Sequence, residues 1–71
     1  MFHLQFNDGL GWRSCNKQEG GYVSPHDLVS DARGHRSRWP RDDLRVWSDD
    51  PNHDRVIAVW KREEPIDSGK L

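Results

Sequence analysis

Ser24-Pro25-His26-Asp27-Leu28-Val29-Ser30-Asp31-Ala32-Arg33-Gly34-His35-Arg36-Ser37-Arg38-Trp39-Pro40 is the stretch that decides the fold. A serine, then proline, then an acid three positions after the serine is the chemistry of a helix start. The hydroxyl accepts from an unpaired backbone N–H, and proline loses nothing at the first helical position. Asp27 can reach back to the Ser24 N–H, as in a capping box. Leu28, Ala32, His35 and Trp39 then recur at helical spacing, with Val29 and Arg36 beside them. Gly34 weakens the middle by about 1 kcal/mol relative to alanine, and marks either a close approach to the sheet or a fraying point. Pro40 ends the element, because the residue before a proline is pushed out of the helical region. One α-helix over about 25–38 follows.

On the N-terminal side, Phe2, Leu4 and Phe6 alternate with His3, Gln5 and Asn7, the period of a half-buried strand. Asn7-Asp8-Gly9 supplies a turn. Between the glycines of 9–21, Trp12-Arg13-Ser14-Cys15 is a possible short strand, and Asn16 to Gly21 reads as a loop. On the C-terminal side, Leu44 to Ser48 alternates again. Asp49-Asp50-Pro51-Asn52-His53-Asp54 is dense in turn formers. Arg55 to Lys61 is the strongest strand of the chain. Apolar on both faces, it is expected at the centre of its sheet. The order predicts an α+β fold: a three- to four-stranded antiparallel sheet with the helix packed on one face. Residues 1–63 form the single domain, and 64–71, which lose all pattern, are expected to be a flexible tail.

Composition bounds the rest. The 71 residues are 32% apolar and 32% charged, with a net charge of −1. That is lean for a core. Four tryptophans, Trp12, Trp39, Trp47 and Trp60, compensate with large buried area. Cys15 is the lone cysteine, so no disulfide forms within the chain, and a small semi-buried thiol in a reducing, cytoplasmic setting is expected. No apolar run approaches the length that crosses a bilayer, and the first residues lack the pattern of a signal peptide.

The chemistry-bearing residues are sparse. His3, His26, His35 and His53 are too far apart for the close ligand pairs of a zinc site, so no metal or cofactor is expected. The serines sit in no nucleophile motif, Gly9-Leu10-Gly11 is no phosphate loop, and the adjacent acid pairs read as solvated turns; no enzyme is expected.

Two features point to binding. A helix shelters one side of a thin sheet. The other side would carry His3, Gln5, Arg45 and Trp47, and also Trp60 if Ile57 and Val59 point inward. Trp47, Arg45 and Trp60 would make an interface patch of residues enriched at binding hot spots, unless the 9–21 loop folds over and buries the tryptophans as core. The second feature is the acid-free run Arg33, Arg36, Arg38 and Arg41, interleaved with Trp39. It reads as a solvated face, partly paired through Asp42 or Asp43 to Arg38 or Arg41. It also suits contacts to an acidic protein or to phosphates.

The leading expectation is a small protein-binding module: a steric inhibitor or modulator of a larger, nucleic-acid-handling complex. Host-modulating inhibitors of phage type are the analogy of size and kind. The alternative is a single-stranded nucleic-acid-binding domain using the sheet-face aromatics and the 33–41 arginines. A homodimer through the sheet face would also enlarge the core.

Overall fold

The computed structural model describes residues 1–52 and 54–71; His53, one of the four histidines weighed above, lies outside the described residues. Strands β1 (Phe2–Asn7), β2 (Trp12–Ser14), β3 (Asp43–Ser48) and β4 (Arg55–Trp60) form one antiparallel sheet in the order β2-β1-β3-β4. A 3-10 turn at Pro25–Leu28 runs into helix α1 (Val29–Arg38). No helix among the described residues is long and apolar enough to cross a membrane.

The helix start follows its local chemistry. The Ser24 side chain accepts from the His26 N–H, and the Asp27 carboxylate accepts from the Ser24 N–H, which closes the capping box. At the other end the backbone leaves helical geometry at Trp39, directly before Pro40. Gly34 does not mark a close approach: a side chain there would meet nothing within 4 Å.

Leu28, Val29 and Ala32 join Leu4, Leu44, Val46, Ala58 and Trp60 in one buried cluster, so the helix covers one face of the sheet. Trp39, expected in this layer, is 47% exposed, because the chain has already left the helix there. The loop after β2 does not fold over the opposite face. It runs along the outer edge of β1, where Cys15 N–H donates to Leu4 O and Asn16 Oδ1 accepts from Leu4 N–H. Tyr22 and Phe2 then exchange both backbone bonds. Tyr22 is itself fully buried. Its hydroxyl accepts from Lys17 N–H at 3.0 Å and donates to Asp31 at 2.7 Å, tying this edge to α1.

Two expectations about β4 are corrected. It is an edge strand, with β1 and β3 at the centre. Its apolar residues on both faces reflect other neighbours, since the segment after it packs back. Ile66 is only 8% exposed, and Trp60 Nε1 donates to Asp67 O. Lys70 Nζ donates to Val59 O and pairs with Glu64, and Leu71 packs against the core. Residues 64–71 thus contribute apolar contacts that their lack of pattern hides.

The second correction is facing. Leu44 pairs with Trp60 and Val46 with Ala58, and opposite residues share a face. Trp60 therefore points into the core and is 0% exposed. The register shifts between Val46 and Trp47, leaving Ile57 without a partner and setting Val56 opposite Trp47.

Candidate functional site: the open sheet face

The face left open by α1 carries His3, Gln5 and Asn7 from β1, Trp12 and Ser14 from β2, and Arg45 and Trp47 from β3. The pairing sets these residues side by side. Gln5 stands between Ser14 and Arg45, while Arg45 faces Val59 on β4. Arg45 Nε donates to Gln5 Oε1 at 2.7 Å, and its guanidinium lies 4.2 Å from the centre of the Trp12 ring. The geometry is that of a cation resting on an indole face.

The second half of the face is built on His3 and Trp47, which pair across β1 and β3 with ring centroids 5.2 Å apart. The hydrogen bonds decide the imidazole's state. Asn16 Oδ1 accepts from Leu4 N–H, so its Nδ2 is the atom facing His3 Nδ1 at 2.9 Å. Nδ2 can only donate, so Nδ1 accepts. The proton sits on Nε2, which donates to Asp49 at 2.6 Å. Asp49 also receives the Met1 ammonium at 2.8 Å. Hydrogen bonds from that ammonium and then from His3 hold the Asp49 carboxyl below its usual range. Trp47 Nε1 donates to Asp54 at 2.6 Å, which fixes the indole plane from the hairpin side. The four main side chains of this face are each held by at least one partner, yet none is buried.

Of the seven residues singled out in the sequence, Trp47 and Arg45 share this face. Trp60 is in the core. The Arg36 guanidinium is engaged within the fold. Nε donates to Glu64 O, Nη1 to Pro40 O and Asp42 O, and Nη2 to Trp60 O and Lys61 O. Five N–H groups meet five backbone carbonyls, which is the full donor capacity of an arginine. Arg33 is exposed on α1, and Arg38 lies 5.1 Å over the Trp39 ring. Arg41 is exposed beyond the end of the sheet, lining a hollow of about 390 Å³ with Lys61, Arg62, Asn7 and Asp43. The arginine run is therefore split among several places.

The acids expected to balance it are used elsewhere: Asp42 bonds His35 at 2.8 Å and Asp43 accepts from Arg62 N–H at 2.7 Å.

Sequence reasoning missed Trp12 and undervalued His3 and Gln5. A signal for Trp12 existed: the Asn7–Gly11 turn pairs Trp12 with Asn7, which puts both on the face opposite Phe6. It also kept Cys15, His35 and Asp42 apart, although all three line one cleft on the helix side. Burial pushes the Cys15 thiol up to about 11, and its Sγ–H points to Leu4 O at 3.6 Å. Among the described residues no group of three His, Cys, Asp or Glu side chains is placed to hold a metal ion.

No protein-family model, curated protein or solved structure matches this chain.

Proposed function

We propose that this chain is a small protein-binding module that docks a larger protein or complex on its open sheet face and modulates it by occupying that surface. The observation that carries the reading is the array Trp12–Arg45 and His3–Trp47: large planar side chains held in place by Gln5, Asn16, Asp49 and Asp54 and only partly buried. Tryptophan and arginine dominate binding energy at protein interfaces. Side chains already ordered in the free protein lose less freedom when a partner arrives. The reading assigns no catalytic role. It fits a cytoplasmic, phage-type inhibitor of a nucleic-acid-handling complex, a setting in which an unpaired Cys15 stays reduced.

The test is capture of partners by the wild-type chain and by Trp47→Ala and Trp12→Ala, followed by titration of whatever the wild type retains. Each substitution is expected to weaken binding by more than about 2 kcal/mol while the amide spectrum stays dispersed. Retained affinity in both variants would overturn the reading. Sizing chromatography adds the case in which the partner is a second copy.

One observation favours a second reading. Lys61, Arg41 and Arg62 line a hollow with Asp8, Asp43 and Asn7, the strand partner of Trp12. Single-stranded nucleic acid could stack on the indoles and run its phosphates toward those cations. That reading requires oligonucleotide affinity that falls steeply with salt, and a flat titration at low salt ends it.

A further inference from the structure

On the helix side of the sheet, Phe6, Cys15, His35 and Trp39 wall a cleft of about 350 Å³, with Arg13 and Lys17 also lining it. That is the low end of the size range of small-molecule sites. Its walls are rings in sequence: Phe6 and His35 have centroids 5.2 Å apart, and His35 and Trp39 4.8 Å apart. A second hollow of about 250 Å³ shares Lys17, His35 and Trp39 with the first and adds Gly34 and Arg38. Gly34 leaves open space where any other residue would place a side chain.

The polar groups converge. His35 Nε2 is bound by the Asp42 carboxylate, which orients the ring. Among the described residues no buried side-chain nitrogen or oxygen lacks a partner. The His35 ring, so oriented, lines both hollows. The acids of the two hollows are each engaged: Asp8 by Arg13, Asp31 by the Tyr22 hydroxyl and Asp42 by His35. Lys17 and Arg38 have no acid partner among the described residues, and Arg38 lies over the Trp39 ring. Flat apolar walls beside two cations that make no ion pair among the described residues suit one kind of guest.

We infer that this cleft binds a small planar aromatic anion, its ring against Trp39 and Phe6 and its charged group between Lys17 and Arg38. The site is separate from the open sheet face and does not rest on the function proposed for it.

Benzoate, phenyl phosphate and benzamidine, titrated into the isotope-labelled chain and followed by amide and indole shifts, test it. Either anion, or both, is expected to give saturable shifts confined to Phe6, Cys15, Lys17, Gly34, His35 and Trp39. For ligands this small, dissociation constants on the order of 1 mM are expected. The tighter of the two identifies the anionic group as carboxylate or phosphate. Lys17→Gln and Arg38→Gln are each expected to weaken binding roughly two- to fivefold, the span of an exposed ion pair. Trp39→Ala, at a half-exposed position, is expected to abolish the shifts and keep the fold. The absence of localised shifts with both anions overturns the inference. So does benzamidine binding as tightly as the anions, or full affinity in both charge variants.

Discussion

The guanidinium of Arg45 rests 4.2 Å from the centre of the Trp12 ring, across the width of β1. The contact needs a planar cation on a flat ring, and Arg45 Nε must at the same time reach Gln5. Arg45→Lys keeps the charge but loses both geometries. The stack contributes about 1 kcal/mol at a partly exposed site. Thermal unfolding of Arg45→Lys should therefore show a small loss of stability, and partner binding should fall as far as in Arg45→Ala. Full binding by the lysine variant would show that charge alone matters there.

Arg36→Ala removes five hydrogen bonds and leaves half-buried carbonyls at the end of β4, at the start of β3 and before the tail. A loss of about 3 kcal/mol is expected, the upper range for bonds to a charged donor, and lysine with three donors should recover little of it. Urea unfolding measures the difference. A loss below about 1 kcal/mol would contradict the clamp.

Ile66→Ala opens a gap under the returning segment, beside Trp60. A destabilisation of about 2 kcal/mol is expected, the lower end for a large-to-small change near the surface of a core. A chain ending at residue 63 should be less stable still, read by the same melting experiment. Unchanged melting would mean that 64–71 contribute nothing to the fold.

Gly21 and Gly34 should respond with opposite signs. At Gly21 φ is +103°, and a Cβ would lie 2.7 Å from Phe2 O and 2.9 Å from the His3 ring. Gly21→Ala is expected to cost about 2 kcal/mol or more, and to disturb the His3 resonances. Gly34→Ala, helical and unobstructed, should stabilise by about 1 kcal/mol.

High pH should weaken the fold through the half-buried Cys15 thiol and the buried Tyr22. Burial raises the Cys15 thiol from 9.0 to about 11, and burial followed by the bond to Asp31 raises the Tyr22 hydroxyl from 10.0 to about 12. The folded state holds these protons more tightly than the unfolded chain does. The stability tied to them is whole below pH 9 and drains away as pH climbs through 11 toward 12. Melting temperatures at fixed ionic strength should fall across that window, and less steeply in Cys15→Ser. For the same reason alkylation of Cys15 at pH 8 should be slow, and fast labelling there would contradict the burial.

Local signals carried the fold well. Ser24, Pro25, Asp27 and Pro40 delimit the helix because capping and φ restriction act within a few residues. Alternation marked β1 and β3 because each has one wet face. β4 was different. With apolar side chains on both faces its own pattern cannot say which way Trp60 points, and only the partner Leu44 decides. Ile66 was illegible because a single apolar residue has no period. Arg36 was read as surface charge because its five acceptors are backbone carbonyls, which every residue owns and no sequence advertises. The open face was half legible: Arg45 and Trp47 follow from alternation, whereas Trp12 needs the hairpin register as well.

The Arg36 clamp has a consequence for how the domain comes apart. One side chain from the last turn of α1 holds the approach to β3, the exit of β4 and the start of the returning segment. Peeling any one of these away strands the guanidinium N–H groups that it alone satisfies. Partial opening is thus penalised at every edge at once, and the 71 residues should melt as a single cooperative unit.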